Sequence, residues 1–268
     1  MSVFPRRVCV VAAACLAFLV AGSRNADALV LDWNAVTWSP GALINSYDLT
    51  GDAVNDITVT VTSQQANIWQ LDPTSGIQTP TVNQTLTGGL LPAENSLMLA
   101  ANLHTNSNAT FQLSFTGVYP GAANVSFTLF DIDLSADRDI ISNIYGVLSD
   151  GSHVAATITN LGSTVTLTGS GLTQTLTGNV PSPNNSGNGN ATISFGSAVI
   201  YDVFFTFGNS SGPPRYQDIG IGDISFSPVP EINPAAASAI SCLLVAGLMA
   251  FVHRRAKLKA RRVQTIQD

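Results

Sequence analysis

Four aspartates lie close together in the segment FDIDLSADRD, residues 130–139, which is the densest carboxylate cluster in the chain. Asp131 and Asp133 are two positions apart at the end of a predicted strand, where alternate side chains share one face. Asp137 and Asp139 follow and could close over that pair. Hard oxygen ligands of this kind suit Ca²⁺, which takes about six to eight of them. The four aspartates therefore predict a calcium site, although their spacing is not that of an EF-hand.

The same cluster also has a purely structural interpretation. Asp131 and Asp133 can cap a strand, accept hydrogen bonds from turn amides or pair with Arg138. A second acidic pair, Asp218 and Asp223, approaches the cluster if the last strand of the domain pairs nearby. The sequence leaves the calcium interpretation and the structural one open.

No catalytic motif accompanies these carboxylates. The sequence contains no G-x-S-x-G elbow, H-E-x-x-H helix or P-loop, and His104 and His153 lie in no metal or triad pattern. A glycoside hydrolase needs two carboxylates that face each other across a cleft, and Glu94 is the only Glu in residues 29–228. We therefore predict that the protein is not an enzyme, with a surface hydrolase as the third-ranked alternative.

Charge is unevenly distributed along the chain. Residues 29–228 contain 14 Asp and Glu against two Arg, a net charge of −12, and no Cys. Such a surface repels phosphate backbones, which argues against nucleic-acid binding. It suits cations or a neutral polar partner such as polysaccharide.

The hydrophobic pattern of residues 29–228 is that of β-strands. Apolar and polar residues alternate at 57–62, 111–115 and 125–130, as in strands with one buried face. Residues 218–226 are predicted to form one further strand. Asp150-Gly151 between two apolar runs predicts a hairpin turn. Many short strands without a long helical period predict an all-β, antiparallel jelly-roll-like β-sandwich. Residues 179–190 are so polar that we predict a surface loop that does not pack.

Aromatic residues provide a binding hypothesis. Exposed rings stack on sugars, whereas rings in strands are usually part of the core. Trp33 and Trp38 near the start of the domain, and Tyr216 in a Pro-rich loop, are predicted to lie outside the core. Other candidates are Trp69, Tyr119, Tyr145 and Tyr201.

The N-terminus has the pattern of a secretory signal peptide. Arg6 and Arg7 precede an apolar run at 8–22, and Ala26-Asp27-Ala28 forms an A-x-A cleavage site. Residues 1–28 are therefore predicted to be removed on export, which leaves an ectodomain at 29–228.

The C-terminus has the pattern of a membrane span. Residues 235–252 carry no charge, and as a helix they would cover about 27 Å, close to the thickness of a bilayer core. A basic tail at 253–268 follows directly. Positive charge marks the cytoplasmic side of a span, so the ectodomain is predicted to face outward. The flanking cations are Arg254, Arg255, Lys257, Lys259, Arg261 and Arg262.

Val229-Pro230-Glu231, the apolar run and the basic end together resemble the PEP-CTERM sorting signal of exported bacterial proteins, here at residues 229–268 with its motif at 229–234. The resemblance implies recognition by an exosortase-type membrane protease and transfer to the cell surface or extracellular matrix. Ile232 departs from the usual second proline. The segments FTLFDID and QDIGIGDISF are similar to ectodomains found ahead of such tails.

Three functions follow from these patterns. The first is a non-enzymatic exported protein, anchored in the membrane or released to the surface, with a structural or adhesive role in the envelope or exopolysaccharide of a biofilm. The second is a calcium-assisted carbohydrate-binding module, and the third is the surface glycoside hydrolase.

Overall fold

The computed structural model describes residues 27–65, 68–103, 108–115, 117, 121–135, 137–209 and 215–229, together with residues 251, 254 and 255. Ala26–Val229 forms one compact unit. The second unit comprises Met1–Asn25 and Pro230–Asp268, and only residues 251, 254 and 255 of it are described.

The described residues form two eight-stranded sheets in which every pairing is antiparallel. The first sheet consists of β1 (Leu29–Leu31), β4 (Thr81–Asn83), β5 (Ser96–Leu103), β7 (Ala122–Phe130), β10 (Thr157–Thr159), β13 (Ala191–Ser194), β15 (Arg215–Ile221) and β16 (Ile224–Pro228). The second consists of β2 (Ile44–Tyr47), β3 (Ile57–Ser63), β6 (Asn108–Ser114), β8 (Asp139–Val147), β9 (His153–Ala155), β11 (Val165–Thr168), β12 (Thr175–Gly178) and β14 (Asp202–Asn209). Gly171–Thr173 and Gly187–Gly189 are short 3-10 turns. The prediction of an all-β antiparallel sandwich is confirmed.

The alternating sequence produces the core directly. On β3, Ile57, Val59 and Val61 are fully buried and the residues between them are partly exposed. Phe111 on β6 stacks on Phe205 of β14 with ring centroids 4.8 Å apart, and both rings lie within 6.4 Å of Phe127 on β7 in the other sheet. Each buried ring contributes about 1.5–3 kcal/mol of hydrophobic stabilisation, so these aromatic contacts hold the two sheets face to face.

The Asp150-Gly151 turn forms as predicted. β8 and β9 pair antiparallel up to Val147 opposite His153. Gly151 has φ of +78° and donates its N–H to the Leu148 carbonyl at 3.0 Å. Glycine adopts this left-handed conformation without the steric cost that a side chain would bring.

Two local predictions are wrong. Residues 218–226 form two strands, not one, because the chain turns at Gly222, where a side chain would meet the Phe130 ring at 2.7 Å. Residues 179–190 do pack against the domain. The Asn184 carbonyl accepts a hydrogen bond from the Thr87 N–H at 3.2 Å, and Gly189 is buried. Backbone hydrogen bonds hold this segment although it has few apolar side chains.

The described residues include no helix that could cross a membrane. Of the predicted span 235–252, only Phe251 is described; it is exposed, with the Arg255 guanidinium 5.3 Å from its ring. Ala28 and Arg254 are also described and exposed, and the N–H of Val229 donates to the Gly121 carbonyl at 3.2 Å. Ala26, Pro230, Glu231, Lys257, Lys259, Arg261 and Arg262 lie outside the described residues.

Candidate functional site

Three of the four predicted calcium ligands lie in one buried cluster. Asp131 follows β7 directly, Asp133 lies two residues on, and Asp139 begins β8; all three are buried. Asp131 has φ of +64°, so the chain leaves the strand at this residue. Asp218 on β15 is near enough to raise the pKa of Asp131 and Asp139 through charge repulsion. We call these four residues the aspartate cluster.

Hydrogen bonds hold part of the cluster. Asp139 accepts one from the backbone N–H of Asp133 at 3.1 Å and one from Nε2 of Gln217 at 3.0 Å. Ser182 donates its N–H to Asp133 at 2.6 Å. By contrast, Oδ1 of Asp131 and Oε1 of Gln217 are buried with no hydrogen-bond partner. One oxygen atom of the cluster and one of the adjoining Gln217 are therefore buried without a hydrogen bond.

Burial is the main cause of the raised pKa values in the cluster. It raises the pKa of Asp131 to about 8, with the charges of Asp218 and Asp133 adding to the effect. The pKa of Asp139 is well above its ordinary range for the same reason, and that of Asp218 rises to about 6. A carboxyl whose pKa is about 8 is mostly protonated at neutral pH, so Asp131 is neutral there.

The remaining calcium candidates lie elsewhere. Asp137 binds the side-chain amide of Asn209 at 3.1 Å, and Asp223, which was expected to approach the cluster together with Asp218, accepts a hydrogen bond from the Trp33 N–H at 3.0 Å instead. Among the described residues, no three acidic, His or Cys side chains are arranged to hold one metal ion. The calcium site stays a prediction from the sequence, and the aspartate cluster as it stands is not a complete calcium shell.

Two of the tryptophans that were predicted to lie outside are in the core. Trp33 is 0% and Trp38 6% exposed. The Trp33 indole N–H donates to the Gly222 carbonyl at 3.0 Å, so the turn between β15 and β16 holds this ring inside. Tyr216 is half-buried and its hydroxyl donates to Asp218 at 3.2 Å. Neither tryptophan can stack on a ligand from solvent.

Trp69 is the one tryptophan that reaches the surface. Its neighbours fix its backbone beside β5: Asn102 donates to the Ile68 carbonyl at 2.8 Å, and Gln70 donates to the Ala100 carbonyl at 2.9 Å. The half-buried ring lines an open cleft of about 580 Å³. We call this the Trp69 cleft; its lining residues, none of them charged, are Gly41, Leu43, Ser63, Gln65, Trp69, Gln78 and Thr79.

The local sequence shapes this cleft. Gly41 has φ of +75°, and a side chain there would meet Gln78 at 2.9 Å, so glycine allows the two segments to approach. Gln78 donates its amide to the Gln70 and Thr79 carbonyls at 3.3 and 3.1 Å. Leu43 is 42% exposed. A partly exposed indole beside an oriented amide can bind a ligand that has both apolar and hydroxyl surface.

A second concavity crosses the outer face of the first sheet. We call it the Thr192 groove, of about 570 Å³. The hydroxyls of Thr128 on β7 and Thr192 on β13 lie 3.0 Å apart on its floor, and Asn160 donates its amide to Thr192 at 3.3 Å. Exposed Leu90 and Leu161 also line it.

Two carboxylates, Glu94 and Asp223, line the same groove. Partial burial raises the pKa of Asp223, and the nearby charges of Asp32 and Glu94 act in the same direction. A glycoside hydrolase also needs two carboxylates in one groove. The sequence did not single out these two residues as a pair.

No family model matches the chain, and no curated protein matches it. Solved structures that match the chain at low similarity include a family 11 carbohydrate-binding module from Clostridium thermocellum in complex with a beta-1,3-1,4-mixed-linked tetrasaccharide. It is 10% identical, with 78% of this chain and 99% of that chain covered, at a TM-score of 0.32. The K2 cleaved adhesin domain of Lys-gingipain is 12% identical, with coverage of 75% and 99%, at a TM-score of 0.30. Likenesses of this size carry no conclusion about function.

Proposed function

We propose that the β-sandwich is a non-enzymatic binding domain for a neutral polysaccharide, within a protein exported to the cell surface or extracellular matrix. The observation that carries the proposal is the Trp69 cleft. Among the described residues, no charged side chain lines this cleft, although residues 29–228 carry a net charge of −12. An uncharged cleft on so acidic a domain selects a neutral ligand.

The chemistry of the cleft fits a sugar chain. The Trp69 ring offers a flat apolar surface to the C–H face of a pyranose ring, and Leu43 extends this surface. Gln65 is an exposed amide that can donate to and accept from sugar hydroxyls, and the exposed Gln78, whose N–H groups bind the Gln70 and Thr79 carbonyls, can accept through its oxygen. The indole N–H of Trp69 is a further donor. Small-ligand sites of about 300–1,000 Å³ combine apolar walls with a few polar groups in this way.

Export and sorting are proposed from the sequence. The signal peptide at 1–28, the span at 235–252 and the basic tail at 253–268 support passage of the domain across a membrane. The resemblance of residues 229–268 to a PEP-CTERM tail supports an exosortase-type protease as processing partner. A jelly-roll-like sandwich that binds polysaccharide would then give the protein an adhesive role in the exopolysaccharide.

Affinity gel electrophoresis tests the proposal. The full chain, in detergent, is run through gels that contain neutral mannan, xylan or mixed-linkage glucan. The wild type is expected to be retarded by at least one polymer. Trp69→Ala should migrate freely and Trp69→Phe, which keeps an aromatic ring, should be retarded in part. Absence of retardation in all three polymers would refute the proposal.

A further inference from the structure

The Thr192 groove is chemically different from the Trp69 cleft. Its charged lining residues, Glu94 and Asp223, are both half-buried and both negative. Arg138 and Arg215 are the only cations in residues 29–228, and neither lines the groove. Within the part of the chain that the structure describes, no lining residue neutralises the two carboxylates, and a ligand that carries positive charge would be favoured there.

The floor of the groove is suited to a ligand with hydroxyl groups. Thr128 and Thr192 share one hydrogen bond of 3.0 Å and keep further lone pairs and one O–H free to turn toward the groove. Asn190 also lines the groove; its amide donates to the Gly88 carbonyl at 2.8 Å, while its Oδ1 is buried with no hydrogen-bond partner.

The side walls add apolar surface. Leu90 and Leu161 are both exposed large apolar residues that line the groove. A small metal ion would use the carboxylates but not the hydroxyl floor or the leucines. A ligand that combines an ammonium group, hydroxyls and an apolar ring face uses all three features.

We propose that the Thr192 groove binds polysaccharide that carries free amino groups, with Glu94 and Asp223 pairing with the ammonium of a glucosamine-type residue. The inference rests on the proposed polysaccharide-binding function and assigns it a second site and a second ligand class. N-acetylation removes the positive charge, so the groove should discriminate between the amine and the amide.

The test is isothermal titration of the full chain in detergent with a β-1,4-linked glucosamine tetramer and with its fully N-acetylated counterpart. The amine form should bind at least about tenfold more tightly than the N-acetylated form, because the N-acetylated form lacks the charge-assisted contact with the carboxylates. Glu94→Gln should weaken its binding by about tenfold or more. Asp52→Asn makes the same charge change at an exposed site outside the groove and should leave binding within about twofold. Asp223→Asn is a second variant that removes a carboxylate from the groove. It keeps the local structure, because the asparagine Oδ1 can still accept the hydrogen bond from the Trp33 N–H.

Four outcomes would overturn the inference: equal binding of the two tetramers by Trp69→Ala, which lacks the proposed neutral-sugar site; an equal loss in Asp52→Asn; trilysine binding as tightly as the amine tetramer; or cleavage of the tetramer that Glu94→Gln abolishes. The last would indicate a hydrolase, and mass spectrometry of the ligand after incubation detects it. Trp69→Ala keeps the two proposals separate, because it should abolish binding of neutral polymer and leave binding of the amine tetramer unchanged.

Discussion

Gln217 on β15 of the first sheet donates a hydrogen bond of 3.0 Å to Asp139 at the start of β8 in the second sheet. Both side chains are buried, and the other amide atom of Gln217, Oε1, has no hydrogen-bond partner. The contact joins the two sheets through a polar pair at the edge of an apolar core. It also ties the aspartate cluster to the stability of the sandwich.

The stability of the domain is expected to fall as pH rises. Asp131 has a pKa raised to about 8, so its protonated form is favoured in the folded state. Its contribution is fully present below its ordinary pKa of 3.8 and is lost as pH rises to about 8. Asp131→Asn keeps the size and shape of the side chain but cannot ionise, and asparagine tolerates the positive φ of this position. We expect the variant to gain up to about 5 kcal/mol at pH 9, since one pKa unit is worth about 1.4 kcal/mol, and nothing at pH 4.

Thermal unfolding at several pH values measures this difference, as a rise in Tm of about 2–4 °C per kcal/mol for a domain of this size. Asp52→Asn, which removes an exposed charge, is the control and should follow the wild type. A wild-type Tm that rises between pH 5 and pH 8 would contradict the assignment of neutral carboxyls.

The effect of Ca²⁺ on the Tm distinguishes a protonated aspartate cluster from a calcium site. With Asp131 protonated, millimolar Ca²⁺ and EDTA should give the same Tm at pH 6, because a protonated carboxyl is a poor ligand. The sequence-based calcium prediction expects instead a Tm that rises with Ca²⁺ and a rise that Asp131→Asn removes. Differential scanning fluorimetry in the Ca²⁺ and EDTA buffers shows whether the aspartate cluster holds protons or a calcium ion.

The packing of the Phe130 ring leaves no room for a side chain at position 88. Gly88 has φ of +59°, and a Cβ there would fall within the Phe130 ring. Gly51 has a similar φ of +76° but open space around it. Gly51→Ala should cost about 1 kcal/mol of backbone strain, and Gly88→Ala should cost about 1–3 kcal/mol more from overpacking. Equal costs in urea unfolding would show that the Phe130 ring moves freely aside.

The strands were predictable because their pattern is local. The alternation from Ile57 to Val61 needs only period two and a buried face. The turn that divides residues 218–226 depends instead on the Phe130 ring, some 90 positions away in the chain. Asn184 likewise packs through a backbone contact with Thr87 that side-chain polarity does not reveal.

The candidate sites were less predictable, because exposure depends on long-range contacts. Trp33 lies near the start of the domain, yet the hydrogen bond to Gly222 buries it. Trp69 has no sequence signal that sets it apart from the other aromatic residues. Asp218 joins the aspartate cluster, whereas Asp223, five positions later, lines the Thr192 groove. Only the pairing of the last two strands separates these two carboxylates.

Processing of both termini is a further prediction. Protein isolated from its host should begin near Leu29 and end near Glu231 if signal peptidase and an exosortase-type protease act on it. Intact mass spectrometry of membrane, surface and medium fractions measures both ends. A species that retains Arg254 to Asp268 and occurs only in the membrane would refute the sorting assignment.

Fluorescence quenching of the tryptophans tests the central claim most directly. The chain has three tryptophans; Trp33 and Trp38 are buried, so acrylamide should quench mainly Trp69. A neutral polysaccharide that retards the protein in gels should protect this fluorescence, and Trp69→Phe should show no ligand-dependent change. Quenching that stays the same when the bound polysaccharide is present would contradict the assignment of the Trp69 cleft as the binding site.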